Sequence, residues 1–310
     1  MPNIARLLLV AALPALAQPT ALNFRPVAAE YSSSLDRIIM VSANPDKLRI
    51  FNPASGTDTA VDLQQPPLSL SVSPDGVFAA VGHATAISYV NLSVPKVEKV
   101  LTVTVPAARL ALAPSWIYNL PDSYGKAYSV NIQSGAVTAS TNSYYAYNAR
   151  YNQAKPAIYG IRDGYGDMQR FDTASGAVDA YRDAPNRGTY CINPPLWFSP
   201  DGSRIYTGCG TVFRSTNNVQ TDMTYLSQLG DQTAIISAFS ESSATGTIAT
   251  VRLVQSYYNQ PDDDTVVWLY ENQSFQQTGR VPLVPFTVGV SWFSAKRREE
   301  LAKRGRFRPA

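Results

Sequence analysis

The sequence predicts an all-β fold assembled from radially stacked, four-stranded antiparallel units, and three observations predict it. The first is a repeat of about forty residues. Phe51-Asn52-Pro53-Ala54-Ser55-Gly56, Val90-Asn91-Leu92-Ser93, Val130-Asn131-Ile132-Gln133-Ser134-Gly135 and Phe171-Asp172-Thr173-Ala174-Ser175-Gly176 begin 39, 40 and 41 residues apart, and Phe213-Arg214-Ser215-Thr216-Asn217 follows 42 later. The second is an independent marker with the same period: Ser73-Pro74-Asp75-Gly76 recurs 126 residues on, as Ser199-Pro200-Asp201-Gly202. The third is local: short runs rich in Val, Ile, Tyr and Phe end in turn residues, and no stretch before residue 294 holds a helical period for three turns. One such unit cannot bury both of its faces, whereas about six or seven stacked around an axis can, which is a β-propeller.

Residues 1–17 read as a secretory leader: Arg6 supplies the positive end, 7–16 an apolar stretch, and Ala15-Leu16-Ala17 a small-residue cleavage site. Polar Gln18 follows at once, so the stretch is too short to span a bilayer, and no other apolar run reaches the length a spanning helix needs. The chain is therefore expected to be exported, to the periplasm, the cell surface or the medium. Residues 18–293 form the propeller and 294–310 a basic tail outside it. With 45% apolar and 16% charged residues over 310 positions, the chain has ample material for a core and too little charge for disorder.

Within the second repeat, residues 68–72 run to the Pro74-Asp75-Gly76 turn, 77–81 return, and 86–90 and 97–103 complete a four-stranded meander. Pro fixes the φ of the turn, Asp caps it and Gly takes the positive φ. Ile87-Ser88-Tyr89-Val90-Asn91-Leu92, followed by Val97-Glu98-Lys99-Val100, resembles the YVTN-type, WD40-like propeller repeats of exported proteins, among which Ser-Pro-Asp-Gly before an apolar strand is also frequent. The resemblance covers roughly residues 31–281. It implies seven blades and surface or binding roles, and it brings no catalytic residues to carry over. The sequence departs from it twice: the sixth repeat is long, with an insertion placed at 255–265, and a seventh starts at 286–293 and stops. This leaves six clear repeats and an incomplete seventh.

Blade topology sorts the loops. The innermost strand A leads to the A–B turns on one face, while the B–C and D–A loops line the other. The Ser-Pro-Asp-Gly turns therefore belong to a structural face. Asn44-Pro45-Asp46, His83, Asp122 to Gly125, Asp163 to Asp167, Cys209 and Asp262-Asp263-Asp264 share the B–C face, where propeller ligands commonly enter. Eighteen Tyr against 11 Phe is unusual. Tyr144, Tyr145, Tyr147, Tyr257 and Tyr258 are the binding candidates, because Tyr stacks on apolar faces while keeping a polar tip.

Cys191 and Cys209 flank the Asp201 turn, which in a hairpin makes them cross-strand neighbours, and a disulfide tying strand A to strand B is expected. Asp262 and Asp264 point to one side of an extended chain and are candidates for calcium; a solvated loop tip is the plainer reading, Asp163 and Asp167 could offer carboxylates to a sugar or a metal, and no cofactor is expected. His83, at a strand end, is expected to make a structural hydrogen bond.

The favoured function is a non-catalytic exported module binding a glycan, a surface polymer or a protein through its B–C loops. The alternative is a propeller enzyme of lactonase, lyase or glycosidase type, using His83, Asp163 and Asp167 with a divalent cation. A nucleic-acid partner is not expected, since no basic groove appears in the repeats. The net charge of +3 says nothing against this. Seven of the 26 Lys and Arg lie in 294–310, and the propeller itself is slightly acidic.

Overall fold

A computed structural model of the chain describes residues 22–121, 123–144, 147–162, 166–178, 181–185, 187–230, 235–253 and 266–282. These residues form 24 strands in six antiparallel sheets of four, arranged as a six-bladed propeller. Blade 1 is β1 (Pro26–Ser32), β2 (Arg37–Ser42), β3 (Lys47–Asn52) and β4 (Thr57–Asp62). Blade 2 is β5 (Ser69–Val72), β6 (Phe78–Gly82), β7 (Ala86–Asn91) and β8 (Lys96–Thr102). Blade 3 is β9 (Leu110–Leu112), β10 (Trp116–Asn119), β11 (Gly125–Asn131) and β12 (Val137–Tyr144). Blade 4 is β13 (Tyr147–Asn152), β14 (Ala157–Arg162), β15 (Asp167–Asp172) and β16 (Tyr181–Asp183). Blade 5 is β17 (Leu196–Phe198), β18 (Arg204–Thr207), β19 (Thr211–Arg214) and β20 (Tyr225–Gln228). Blade 6 is β21 (Ile235–Ser242), β22 (Thr247–Leu253), β23 (Val266–Glu271) and β24 (Gln277–Pro282).

Six blades replace the seven that the family resemblance implies. The seventh repeat at 286–293 and the insertion at 255–265 lie outside the described residues. Each sheet consists of four consecutive strands, so no described sheet draws on both ends of the chain.

The two repeated turns work as their residues require. In blade 2, Ser73 Oγ donates to Asp75 Oδ1, which also accepts from Val77 N at 3.0 Å, while Phe78 N donates to Ser73 Oγ at 2.9 Å. Blade 5 repeats the set: Ser199 Oγ to Asp201 at 2.6 Å, Ser203 N to Asp201 at 3.0 Å, Arg204 N to Ser199 Oγ at 3.0 Å. Gly76 and Gly202 close the turns at φ of +73° and +65°, which favour glycine. At the ends of β3, β7 and β11, the Oδ1 atoms of Asn52, Asn91 and Asn131 each accept from two backbone N–H groups two and three residues on. These Asx turns are the physical content of the forty-residue repeat.

The A–B turns also join blades. Ser32 Oγ of blade 1 donates to Gly76 O of blade 2 at 2.8 Å, and Asn152 Nδ2 of blade 4 donates to Gly202 O of blade 5 at 2.8 Å. The hydrophobic core follows the same plan. Among the described residues it is not central but divided into five buried clusters, each formed by two consecutive blades, such as Ile39, Val41 and Leu48 with Leu70, Val81 and Val90. Apolar burial therefore glues blade to blade, since each sheet must cover both faces.

The disulfide forms between Cys191 and Cys209, with Cα atoms 6.1 Å apart. Its placement corrects the expectation. Cys191 precedes β17 by several residues and Cys209 lies in the β18–β19 turn, so the bridge ties the D–A loop to the B–C turn rather than strand A to strand B. The hairpin symmetry about Asp201 failed because β17 is only three residues long.

Candidate functional site

The innermost strands of all six blades line a central cavity of about 820 Å³. Strand A of every blade runs from the B–C face to the A–B face, so residue order along it gives depth. Val27, Leu68 and Arg109 lie toward the B–C face, and Tyr31, Tyr151, Phe198 and the turn prolines Pro74 and Pro200 toward the A–B face. Glu30 crosses the cavity. Its Oε1 accepts from Arg150 Nη1 at 3.1 Å, linking blade 1 to blade 4, and its Oε2 accepts from Val72 N of blade 2 at 2.7 Å. A second cavity of about 510 Å³ opens beside the A–B mouth and shares Pro74, Tyr151, Phe198 and Pro200 with the first. Its lining adds Asn152 and Gln153 and carries no charged residue.

The aromatic residues thus gather at the face that topology alone marks as structural. Sequence reasoning missed Glu30, Arg150 and Phe198. Alternation does not mark them, because consecutive residues of the innermost strands, such as Arg150 and Tyr151, line the cavity together.

His83 is 1% exposed and both ring nitrogens are engaged, Nδ1 with Pro66 O at 3.1 Å and Nε2 with Ser88 Oγ at 2.9 Å. Burial holds its pKa below the usual 6.5. The expected structural hydrogen bond is present, and His83 and its partner Ser88 are both buried. Asp167 is 1% exposed at the start of β15, with Arg187 Nε 3.3 Å from its Oδ2. Burial, then the nearby Asp183 carboxylate, raise its pKa above the usual 3.8, and the Arg187 charge opposes them. His83 belongs to blade 2 and Asp167 to blade 4.

Tyr144 is 3% exposed and packs edge-on against Phe171 and Tyr181, with ring centroids 4.9 and 5.2 Å away. Its side chain fills the seam between blades 3 and 4 and is not offered to a ligand. Tyr147 begins β13. Tyr145, Tyr257, Tyr258, Asp163, Asp262, Asp263 and Asp264 lie outside the described residues. Among the described residues, no three His, Cys, Asp or Glu come together as a metal site, and no helix is long and apolar enough to cross a membrane.

No family model and no curated protein matches the chain. Among solved structures, the β-propeller domain of Cps50 (Swd1) from Myceliophteria thermophila is similar with a TM-score of 0.63 and 10% identity, over 86% of this chain and 88% of that one. Hydrazine synthase of Kuenenia stuttgartiensis is similar with a TM-score of 0.58 and 13% identity, over 86% and 89%. At such identities the likeness shows the propeller fold alone.

Proposed function

We propose that the chain is an exported, non-catalytic propeller that binds a glycan, a surface polymer or another protein at its central cavity. The observation that carries this reading is the cavity itself, walled by one strand from each blade and aromatic at its A–B mouth. A propeller is compatible with an interaction module, and His83 and Ser88, each 1% exposed and with the Pro66 carbonyl rather than a carboxylate on the His83 Nδ1, argue against Ser-His-Asp chemistry. The leader-like N-terminus and the disulfide support export, and the YVTN-type resemblance supports a surface role. The B–C face remains a proposed route through its tyrosines, but the rings whose positions are described favour the A–B mouth.

The full chain probed against arrays of glycans and of immobilised surface-protein fragments identifies the ligand. Arg150→Ala and Tyr151→Ala each reduce affinity for a true cavity ligand about tenfold, the scale of one direct contact. Ligands held equally well by both variants would count against the cavity.

Asp167 favours a second reading, a lactonase, lyase or glycosidase aided by a divalent cation such as calcium. A carboxyl held above its usual range is suited to donate a proton. That reading predicts turnover on a sugar and lactone panel, lost on chelation and in Asp167→Asn.

A further inference from the structure

One face of blade 6 has an unmet electrostatic need. Thr250 sits directly opposite Trp268, and Trp268 opposite Arg280. Arg252, two residues beyond Thr250, points to the same side. Arg252 is 7% exposed, its Nη2 donating to Tyr270 Oη at 2.6 Å and its guanidinium lying 4.2 Å from the Trp268 ring centroid. The Arg280 guanidinium lies 5.2 Å from the same centroid. Three polar atoms on this face are buried without a hydrogen-bond partner: Arg252 Nε, Trp268 Nε1 and Thr250 Oγ1. Two are obligate donors and the third donates readily. Among the described residues, neither Arg252 nor Arg280 forms an ion pair.

The other buried arginine among the described residues, Arg170, is 6% exposed and is answered by Asp222 and Asp172. A buried guanidinium without a counter-ion is costly, and clustered orphan donors in a native fold indicate a missing acceptor. Water satisfies donors but not charge. A carboxylate or oxyanion satisfies both, because two of its oxygens can accept from Arg252 Nε–H and the indole N–H together. Arg280 is exposed and brings a second positive charge from the solvent side.

We infer that this face of blade 6 binds an anionic group, either a free small oxyanion or the acid group of a saccharide, through Arg252, Trp268, Thr250 and Arg280. This site is independent of the central cavity.

Thermal unfolding of the full chain at constant ionic strength tests it, with inorganic phosphate and galacturonate as probes and galactose as the neutral control. A saturable rise of the midpoint with phosphate or galacturonate is expected, and none with galactose. Trp268→Phe keeps the ring but removes the indole N–H, and Arg280→Gln changes an exposed residue, so both variants fold. Each should raise the apparent Kd about tenfold. Arg252→Met should abolish the response while raising the midpoint in anion-free buffer, since it removes an uncompensated charge. A stronger response to galacturonate identifies a saccharide acid, and a response to phosphate alone a free anion. No saturable rise with either anion, an equal rise with galactose, or an unchanged response in the variants overturns the inference.

Discussion

Asp222 shows what one side chain does at a seam. It is 0% exposed, and it accepts from Tyr159 Oη at 3.0 Å, Arg170 Nη1 at 3.2 Å, Arg182 Nη2 at 2.5 Å and Thr216 N at 2.8 Å. The first three partners belong to blade 4 and the last to blade 5. Asp222→Ala leaves the buried Arg170 without its main counter-charge, so urea denaturation should show a loss of about 3–5 kcal/mol. Adding Arg170→Met should recover part of it. Two buried groups respond to pH with opposite signs. His83 is held neutral in the fold, so its contribution is complete above about pH 6.5 and falls as the unfolded chain takes up the proton below it. His83→Gln should flatten the acid limb of a stability–pH profile between about pH 7 and 5. Burial holds the Asp167 carboxyl above its usual range, so the fold loses stability as pH rises from the unfolded value of 3.8 through the raised folded one. Asp167→Asn should be near neutral at about pH 3 and stabilising at about pH 7.

Elements separate what a turn needs from what a seam needs. Gly56 and Gly76 have nearly the same backbone, φ +70° and +73°, but a Cβ at Gly56 meets nothing within 4 Å while one at Gly76 would lie 2.4 Å from Ser34 Oγ of blade 1. Gly56→Ala should cost about 1 kcal/mol, the price of the left-handed backbone. Gly76→Ala should cost clearly more, and equal losses in thermal melts would refute the seam contact. The Cys191–Cys209 bridge spans 18 residues, so the double Ser variant should lose about 3 kcal/mol. The turns were legible in the sequence because their chemistry is complete within five residues. The disulfide pairing was legible too, but not the elements it joins, because β17 and β18 are shorter than the spacing suggested. Close approach offered a further marker that went unused: a Cβ at Gly82 or Gly208, again 126 residues apart, would collide with the carbonyl oxygen of Ala107 or Pro194.

At the scale of the molecule, the blades were readable and the cavity was not. Glu30 and Arg150 are 120 residues apart, and Asp222 lies 63 from Tyr159. No local pattern records such pairs, because they are chosen by the closure of the ring. Tyr144 illustrates the same limit: a tyrosine beside a loop looked like a ligand contact until a neighbouring blade covered it. The six consecutive sheets carry a mechanical consequence. Among the described residues, the chain itself crosses five of the six seams, and no described sheet joins a strand of blade 6 to one of blade 1. Force applied between residues 22 and 282 loads the one gap that no described strand bridges, so optical-tweezer traces should show it open before any blade unravels. A crosslink across the gap should erase the early event and leave the later ones in place.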